Sequence, residues 1–245
     1  MSVVLKPPQR RSCPAGREGH RYWSSEEWSD ETCHLDIEWE ENGKNVMWEV
    51  SFVDTVASMN KWMNIYAQDV LMFDCEWSKK NGVGVIQFAT PPELHQVLVV
   101  DCTRVTLAEV RNLFERCKMV GWATGNDIRH LNLDTSGRNV VDLQELTTQN
   151  SEFWANWKEE DSIRVEEYQP LDRHGNPHQG AWGLDDMAQC FLGHTVKVSI
   201  HKHPKWSEPT WKFKDIDIHY AANDVISVAY IYNQLKYMYE PIILF

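Results

Sequence analysis

Asp74 and Glu76 stand two apart in the run Val70-Leu71-Met72-Phe73-Asp74-Cys75-Glu76-Trp77. In an extended strand such residues face the same side, about 6.6 Å apart along the chain. Two carboxylates on one face of an otherwise apolar strand repel each other and are costly to bury unpaired. A shared divalent cation removes that cost, and hard carboxylate oxygens suit Mg²⁺ or Mn²⁺. Tyr220 and Asp224, in Tyr220-Ala221-Ala222-Asn223-Asp224, are spaced to share one helical face. The small residues at 221 and 222 would let that helix lie close against a sheet. Asp127 follows the strand-like run Met119-Val120-Gly121-Trp122, where a helix begins. Each piece alone has a plainer explanation: a solvated strand end, a packing tyrosine, a surface acid, or an acid at a helix N-terminus that favours the dipole. Their occurrence in order along one chain is what changes the odds.

The elements that must position these residues are readable from periodicity. Val46 to Phe52 alternates as a strand, and Val56, Met59, Trp62, Met63 and Tyr66 give helical spacing over Val56–Tyr66. Val70 to Trp77 reads as a buried strand, Asn81-Gly82 as a tight turn, and Val83 to Ala89 as the returning strand. Gln96–Asp101 is a third strand of this group, Leu107–Cys117 an amphipathic helix and Met119–Trp122 another strand. Asn126–Leu133 is helical with Asp127 near its N-cap, Val140–Leu143 is a further strand, and Leu184–Leu192 and Ile216–Tyr239 are helices. Strands alternating with helices around one hairpin give an α/β class with a mixed sheet. Residues 1–45 read as an N-terminal extension, flexible in part and rich in proline and glycine near its start. The stretch 149–182 is polar and broken by Pro170, Gly175, Pro177 and Gly180, which marks an insertion in a domain spanning 46–245.

The chain has 245 residues, 42% of them apolar, enough for one sizeable core. It holds no run of about 18 apolar residues, which excludes a membrane-spanning helix, and its N-terminus has no secretory pattern. Six cysteines at 13, 33, 75, 102, 117 and 190 form no C-x-x-C pair. They read as reduced thiols of an intracellular protein, nuclear or cytoplasmic. A net charge of −12 argues against coating nucleic acid over long tracts, though not against gripping a few nucleotides. Against that background His194 to Lys214 reverses sign: it carries Lys197, Lys202, Lys205, Lys212, Lys214 and three histidines, with Glu208 as its one acid. The segment reads equally as a solvated basic loop or as a grip for phosphates. Lys202, Lys205 and Lys212 carry the second reading, with Lys79 beside the first acidic motif and Trp77 as a base-stacking surface. His201-x-His203 is a poor metal pair, since no further soft ligand stands nearby in sequence. Trp23, Trp28, Trp39 and Trp48 are read as packing in preference to a docking surface for a protein partner. Neither G-x-S-x-G nor a P-loop is present.

The ordered set resembles the DEDD superfamily of 3′–5′ exonucleases, in its tyrosine branch, of the Werner-protein exonuclease domain and ribonuclease D type. The likeness is carried by Phe73-Asp74-Cys75-Glu76-Trp77, Val85-Ile86-Gln87-Phe88, Gly121 to Leu131, Val140 to Leu146, Gly183-Leu184 to Gly193, and Tyr220 to Asp224. It covers roughly Val46 to Tyr239. The resemblance implies a ribonuclease-H-like mixed sheet of five to six strands flanked by helices. It also implies two Mg²⁺ or Mn²⁺ ions on Asp74, Glu76, Asp127 and Asp224, and Tyr220 orienting a water. The activity implied is release of 5′-mononucleotides from the 3′ end of RNA or single-stranded DNA. The alternative is a non-catalytic nucleic-acid or protein-binding module on the same fold.

Overall fold

In the computed structural model the described residues are 9–12, 33–41, 44–67, 69–133, 140–149, 183–192, 205–208 and 212–243. One eight-stranded sheet organises them, in the order β1-β2-β3-β6-β5-β4-β7-β8. The strands are β1 (Gln9–Ser12), β2 (Cys33–Glu41), β3 (Lys44–Val53), β4 (Val70–Ser78), β5 (Gly82–Ala89), β6 (Gln96–Asp101), β7 (Lys118–Gly121) and β8 (Val140–Asp142). Neighbours β3 and β6, β4 and β7, and β7 and β8 run parallel; the other pairs are antiparallel. The helices are α1 (Val56–Tyr66), α2 (Leu107–Arg116), α3 (Gly125–Leu131), α4 (Leu143–Gln149), α5 (Leu184–Leu192) and α6 (Asp215–Ile243).

The two faces of the sheet build two cores. On one, Phe73, Ile86, Phe88 and Leu98 meet Met59, Trp62 and Met63 of α1 and Val110, Leu113 and Phe114 of α2. Thr55 begins α1 by accepting the Ser58 N–H at 3.2 Å, a cap that removes one of the orphan donors of a helix start. On the other face Met72, Val85, Ala89, Val97 and Val99 lie against α6. Helix α6 crosses β4, β5 and β6 and also packs on α5. It is buried on nearly every side, from Ile218 through Ala221, Ala222, Val225 and Ile226 to Leu235, as suits a helix that is apolar all round. Ala221 and Ala222 have no exposed surface, so the helix seats close to the strands at the turn that carries Tyr220 and Asp224.

The α/β class and mixed sheet are as expected, but the sheet has eight strands in place of five to six. The difference lies mostly at the edge beyond β3. Cys33–Glu41, within the expected extension, pairs residue for residue with β3 across the boundary drawn at 45. Leu35, Ile37 and Trp39 alternate onto the α6 side, and Trp39 stacks on Tyr230 with ring centroids 5.5 Å apart. Trp39 and Trp48 are core residues. Trp23, Trp28 and the 150–182 part of the expected insertion lie outside the described residues. Among the described residues no helix is long and apolar enough to cross a membrane.

Candidate metal centre

Strand β4 brings Asp74 and Glu76 to the α6 side, while Phe73 and Cys75 point into the opposite core. Asp74 lies across from Gln87 of β5, and Glu76 across from Val85. Between Glu76 and Trp77 the register slips, because Trp77 pairs with Val83 and Gly84 becomes the extra residue of a bulge. Bulges bend a strand and re-aim its side chains. A side chain at Gly84 would overlap the Trp206 carbonyl, so this position admits only glycine.

Helix α6 supplies the second contribution. One carboxylate oxygen each from Asp74, Glu76 and Asp224 lie within 4.8 Å of one another. Among the described residues no ion pair reaches Asp74 or Glu76. Burial pushes Asp74 up to about 6, against which the Cys75 backbone N–H acts. Burial, then the charges of Asp74, Asp224 and Asp127, raises Glu76 well above the ordinary glutamate range. A crowded set of hard oxygen donors, reluctant to ionise together, fits a divalent cation.

Asp127 sits beside this trio without being one of its three members. Burial and the charge of Asp74 push it up to about 8, while a hydrogen bond from the Trp77 indole N–H to its Oδ1, at 2.9 Å, pulls the other way. Its helix is aimed by a residue that the sequence motifs did not single out as functional. Asp142, at the end of β8, accepts the backbone N–H groups of Ala123 (3.1 Å) and Thr124 (2.7 Å) and the Thr124 hydroxyl (3.0 Å). Ala123 has φ of 55°, a strained value for a residue with a side chain, held by these bonds. Only the parallel pairing of β7 with β8 brings Asp142 to that turn, so no local signal could reveal it.

Tyr220 is half-buried. Burial first, then the carboxylates of Asp224, Glu76, Asp74 and Asp185, raises its phenol far above the ordinary range. It is therefore a neutral hydroxyl among carboxylates at any physiological pH. Asp185, in the first turn of α5, is a further acid whose charge reaches Tyr220 and that the sequence motifs did not single out; its only local sign is the pair Asp185-Asp186 at a helix start.

The expected nucleic-acid contacts are placed unevenly. Trp77 is engaged: besides its bond to Asp127, its ring is stacked on His130 at 4.0 Å. Lys79 is exposed on the β4–β5 turn, and Lys212 is exposed just before α6. Lys205 is exposed and paired with Glu208 at 3.2 Å. Lys202, with His201 and His203, lies outside the described residues.

The family model described as 3′–5′ exonuclease matches residues 50–240. No curated protein matches the chain. Among solved structures, the catalytic core of RRP6 from Trypanosoma brucei is similar with a TM-score of 0.52 and 20% identity, over 78% of this chain and 48% of that one. The chain thus spans about half of that core's length. Brucella melitensis NrnC gives 0.47 and 14%, over 73% and 77%, and the EXD2 exonuclease domain soaked in Mn and GMP gives 0.32 and 19%, over 80% and 94%. The likeness to the RRP6 core identifies the mixed sheet as the ribonuclease-H-like fold. With most of its length, acids and tyrosine included, inside the matched region, the chain belongs to the 3′–5′ exonuclease family.

Proposed function

We propose that this protein hydrolyses phosphodiester bonds at the 3′ end of RNA or single-stranded DNA and releases 5′-mononucleotides. The observation that carries the reading is the convergence of Asp74, Glu76 and Asp224 within 4.8 Å, with no cation paired to the first two among the described residues. Asp74, Glu76, Asp127 and Asp224 are the residues that would hold two divalent ions, Mg²⁺ or Mn²⁺. Such ions, when bound, make hydroxide available near neutral pH and offset the charge on the phosphate. Trp77 holds Oδ1 of Asp127 and so limits which of its oxygens faces the centre. Tyr220, protonated, would hydrogen-bond the attacking water and hold it in line with the phosphorus; the charges of Asp224, Glu76 and Asp74 that raise its phenol support that role. The bond between phosphorus and the 3′ oxygen of the penultimate sugar breaks, that oxygen takes a proton, and the terminal residue departs as a 5′-monophosphate.

Strand entry is assigned to Lys79, Lys202, Lys205 and Lys212, with Trp77 offering a ring for base stacking. The Ser207 hydroxyl donates to the Gly82 carbonyl at 2.5 Å, which brings the turn bearing Lys205 to the hairpin bearing Lys79. That supports cations flanking the carboxylates, where the phosphates of an incoming 3′ end would lie. The free thiols Cys75, Cys102 and Cys117 support an intracellular setting, nuclear or cytoplasmic. The test is digestion of 5′-end-labelled single-stranded RNA and DNA with and without Mg²⁺ or Mn²⁺. A descending ladder that needs the metal is expected. Binding of the strands with no shortening under any metal would favour the non-catalytic module instead.

A further inference from the structure

Three observations meet at the turn 205–208. Its backbone is seated on the β4–β5 hairpin: the carbonyl of Trp206 occupies the space that a side chain on Gly84 would fill, and Ser207 donates to the Gly82 carbonyl. Gly84 is the bulged residue beside Glu76, so the turn rests against the strand pair that carries two of the carboxylates. From the same turn the buried Trp206 indole reaches the helix: its ring lies 6.2 Å from that of Tyr220, tilted by 32°. The indole is itself backed by Phe213 at 5.9 Å, and Phe213 by Phe52 of β3 at 5.4 Å. Aromatic pairs at such separations restrict each other's rotation as well as burying area. Tyr220 is only half-buried, and Trp206 is the one aromatic ring packed against it among the described residues.

We propose that Trp206 is a positioning residue that fixes the Tyr220 phenol over the carboxylates, with Gly84 and Ser207 setting its height on the hairpin. The inference depends on the hydrolytic reading of the centre. Its physical content is that α6 and β4, which each supply part of the site, are held in mutual register by a wedge between them. A tyrosine that orients water needs sub-ångström placement, whereas carboxylates gathered around a cation are held by the cation as well.

The experiment is a double-mutant cycle of Trp206→Leu with Tyr220→Phe, read as kcat and KM on a 5′-end-labelled oligonucleotide in Mn²⁺. Trp206→Leu is expected to lower kcat by about 10- to 100-fold with KM within about twofold, the scale of loss for a misplaced reacting group. In the Tyr220→Phe background the same change is expected to cost less than about twofold, and Trp206→Phe, which keeps a ring, to recover most of kcat. Calorimetric Mn²⁺ affinity stays at the unmodified value. Equal losses in both backgrounds, or a loss confined to KM, would overturn the inference. Should Trp206→Leu melt below the assay temperature, Ser207→Ala carries the same cycle: a severalfold loss of kcat that vanishes without the Tyr220 hydroxyl supports the wedge, and an additive loss overturns it. Absence of hydrolysis by the unmodified protein would bring down the proposed function and this inference together, whereas hydrolysis with additive losses brings down the inference alone.

Discussion

Acids on two strands of this sheet live in opposite circumstances. At the end of β8, Asp142 accepts five hydrogen bonds: from Ala123 N–H, Thr124 N–H, the Thr124 hydroxyl, and the N–H groups of Gln144 (2.9 Å) and Glu145 (3.3 Å). In β4, Asp74 and Glu76 face each other and Asp224 with no ion pair among the described residues, and their protonation is favoured by burial. A carboxylate supplied with donors stiffens the backbone that provides them. Carboxylates buried close together repel one another, and a cation can relieve that repulsion. The contrast separates an acid that builds the fold from acids whose proposed work is to hold a cation.

The largest expected effect breaks the second kind. Asp74→Ala should reduce metal-dependent hydrolysis by about 10³-fold or more, the scale for removing a group that acts directly on transition-state charge. The metal-free protein should meanwhile melt no lower, and Asp74→Asn should melt higher by a few degrees, because removing one crowded charge lowers the repulsion. A drop in melting temperature for Asp74→Asn would show that this acid is a structural one after all.

Asp142→Ala should do the reverse. It leaves Ala123 and Thr124 with unpartnered N–H groups at a strained turn, at a cost of about 2–4 kcal/mol, or roughly 5–15 °C for a chain of this size. Activity falls only as far as α3 and Asp127 are displaced, so excess Mn²⁺ should recover part of it. Thermal melts followed by circular dichroism check the first outcome, and a metal titration of the rate checks the second.

How legible this contrast was in the sequence depends on distance along the chain. Helix α1 is found over Val56–Tyr66 as its apolar spacing requires, and β4 to β6 fall within a residue or two of their apolar runs, since both signals are local. Periodicity puts Asp74 with Glu76 on one strand face and Tyr220 with Asp224 on one helix face. That the two pairs meet, together with Asp127, is what the family resemblance implies, and the structure gathers one oxygen each from Asp74, Glu76 and Asp224. Strand β2 was not anticipated, although His34-Leu35-Asp36-Ile37-Glu38-Trp39 alternates, because its acidic outer face resembles the polar stretch before it. Asp142 and Trp206 were invisible as positioning groups for a different reason. Their partners, Ala123 and Tyr220, are brought to them by strand pairing and by a loop seated on a glycine, and neither leaves a pattern in nearby residues.

A third outcome sharpens the contrast through pH. Asp74 is raised to about 6 and Asp127 to about 8, from ordinary values near 3.8. Between about pH 4 and pH 8 the folded, metal-free protein therefore binds more protons at these sites than the unfolded chain, so their contribution to stability is present at the acid end and lost as pH rises through the folded values. Mg²⁺ needs the ionised forms, so its stabilising effect grows in the same direction. The rise in melting temperature on adding saturating Mg²⁺ should be about 5 °C at about pH 8.5 and nearly absent at about pH 5.5. The Asp142→Ala variant should keep the sign of this pH dependence from a lower baseline, because Asp142 is not one of the three acids gathered within 4.8 Å. A metal effect independent of pH would mean that the carboxylates are not where the ion binds.

The smallest effect concerns cations, where the same division holds. Arg111 is committed to the Leu131 carbonyl at 2.6 Å and Arg104 to Asp101 at 3.7 Å, so both serve the fold. Lys79 is exposed at the hairpin, and the exposed Lys205–Glu208 pair contributes little to stability, as solvent-facing pairs do. Lys79→Glu with Lys205→Glu should leave the melting temperature within about 2 °C, since neither side chain supports the core. It should weaken single-strand binding and flatten the dependence of log affinity on log salt by about 1.4, roughly 0.7 for each phosphate that is no longer neutralised. Lys44→Glu, on exposed β3 residue 44 in the half of the sheet beyond β6, is the control and should change neither. If all three reversals weakened binding alike, the strand would be attracted by the whole molecule's charge. A site-specific grip requires that the loss follow the lysines of the β4–β5 turn and of the turn 205–208 and spare the one on β3.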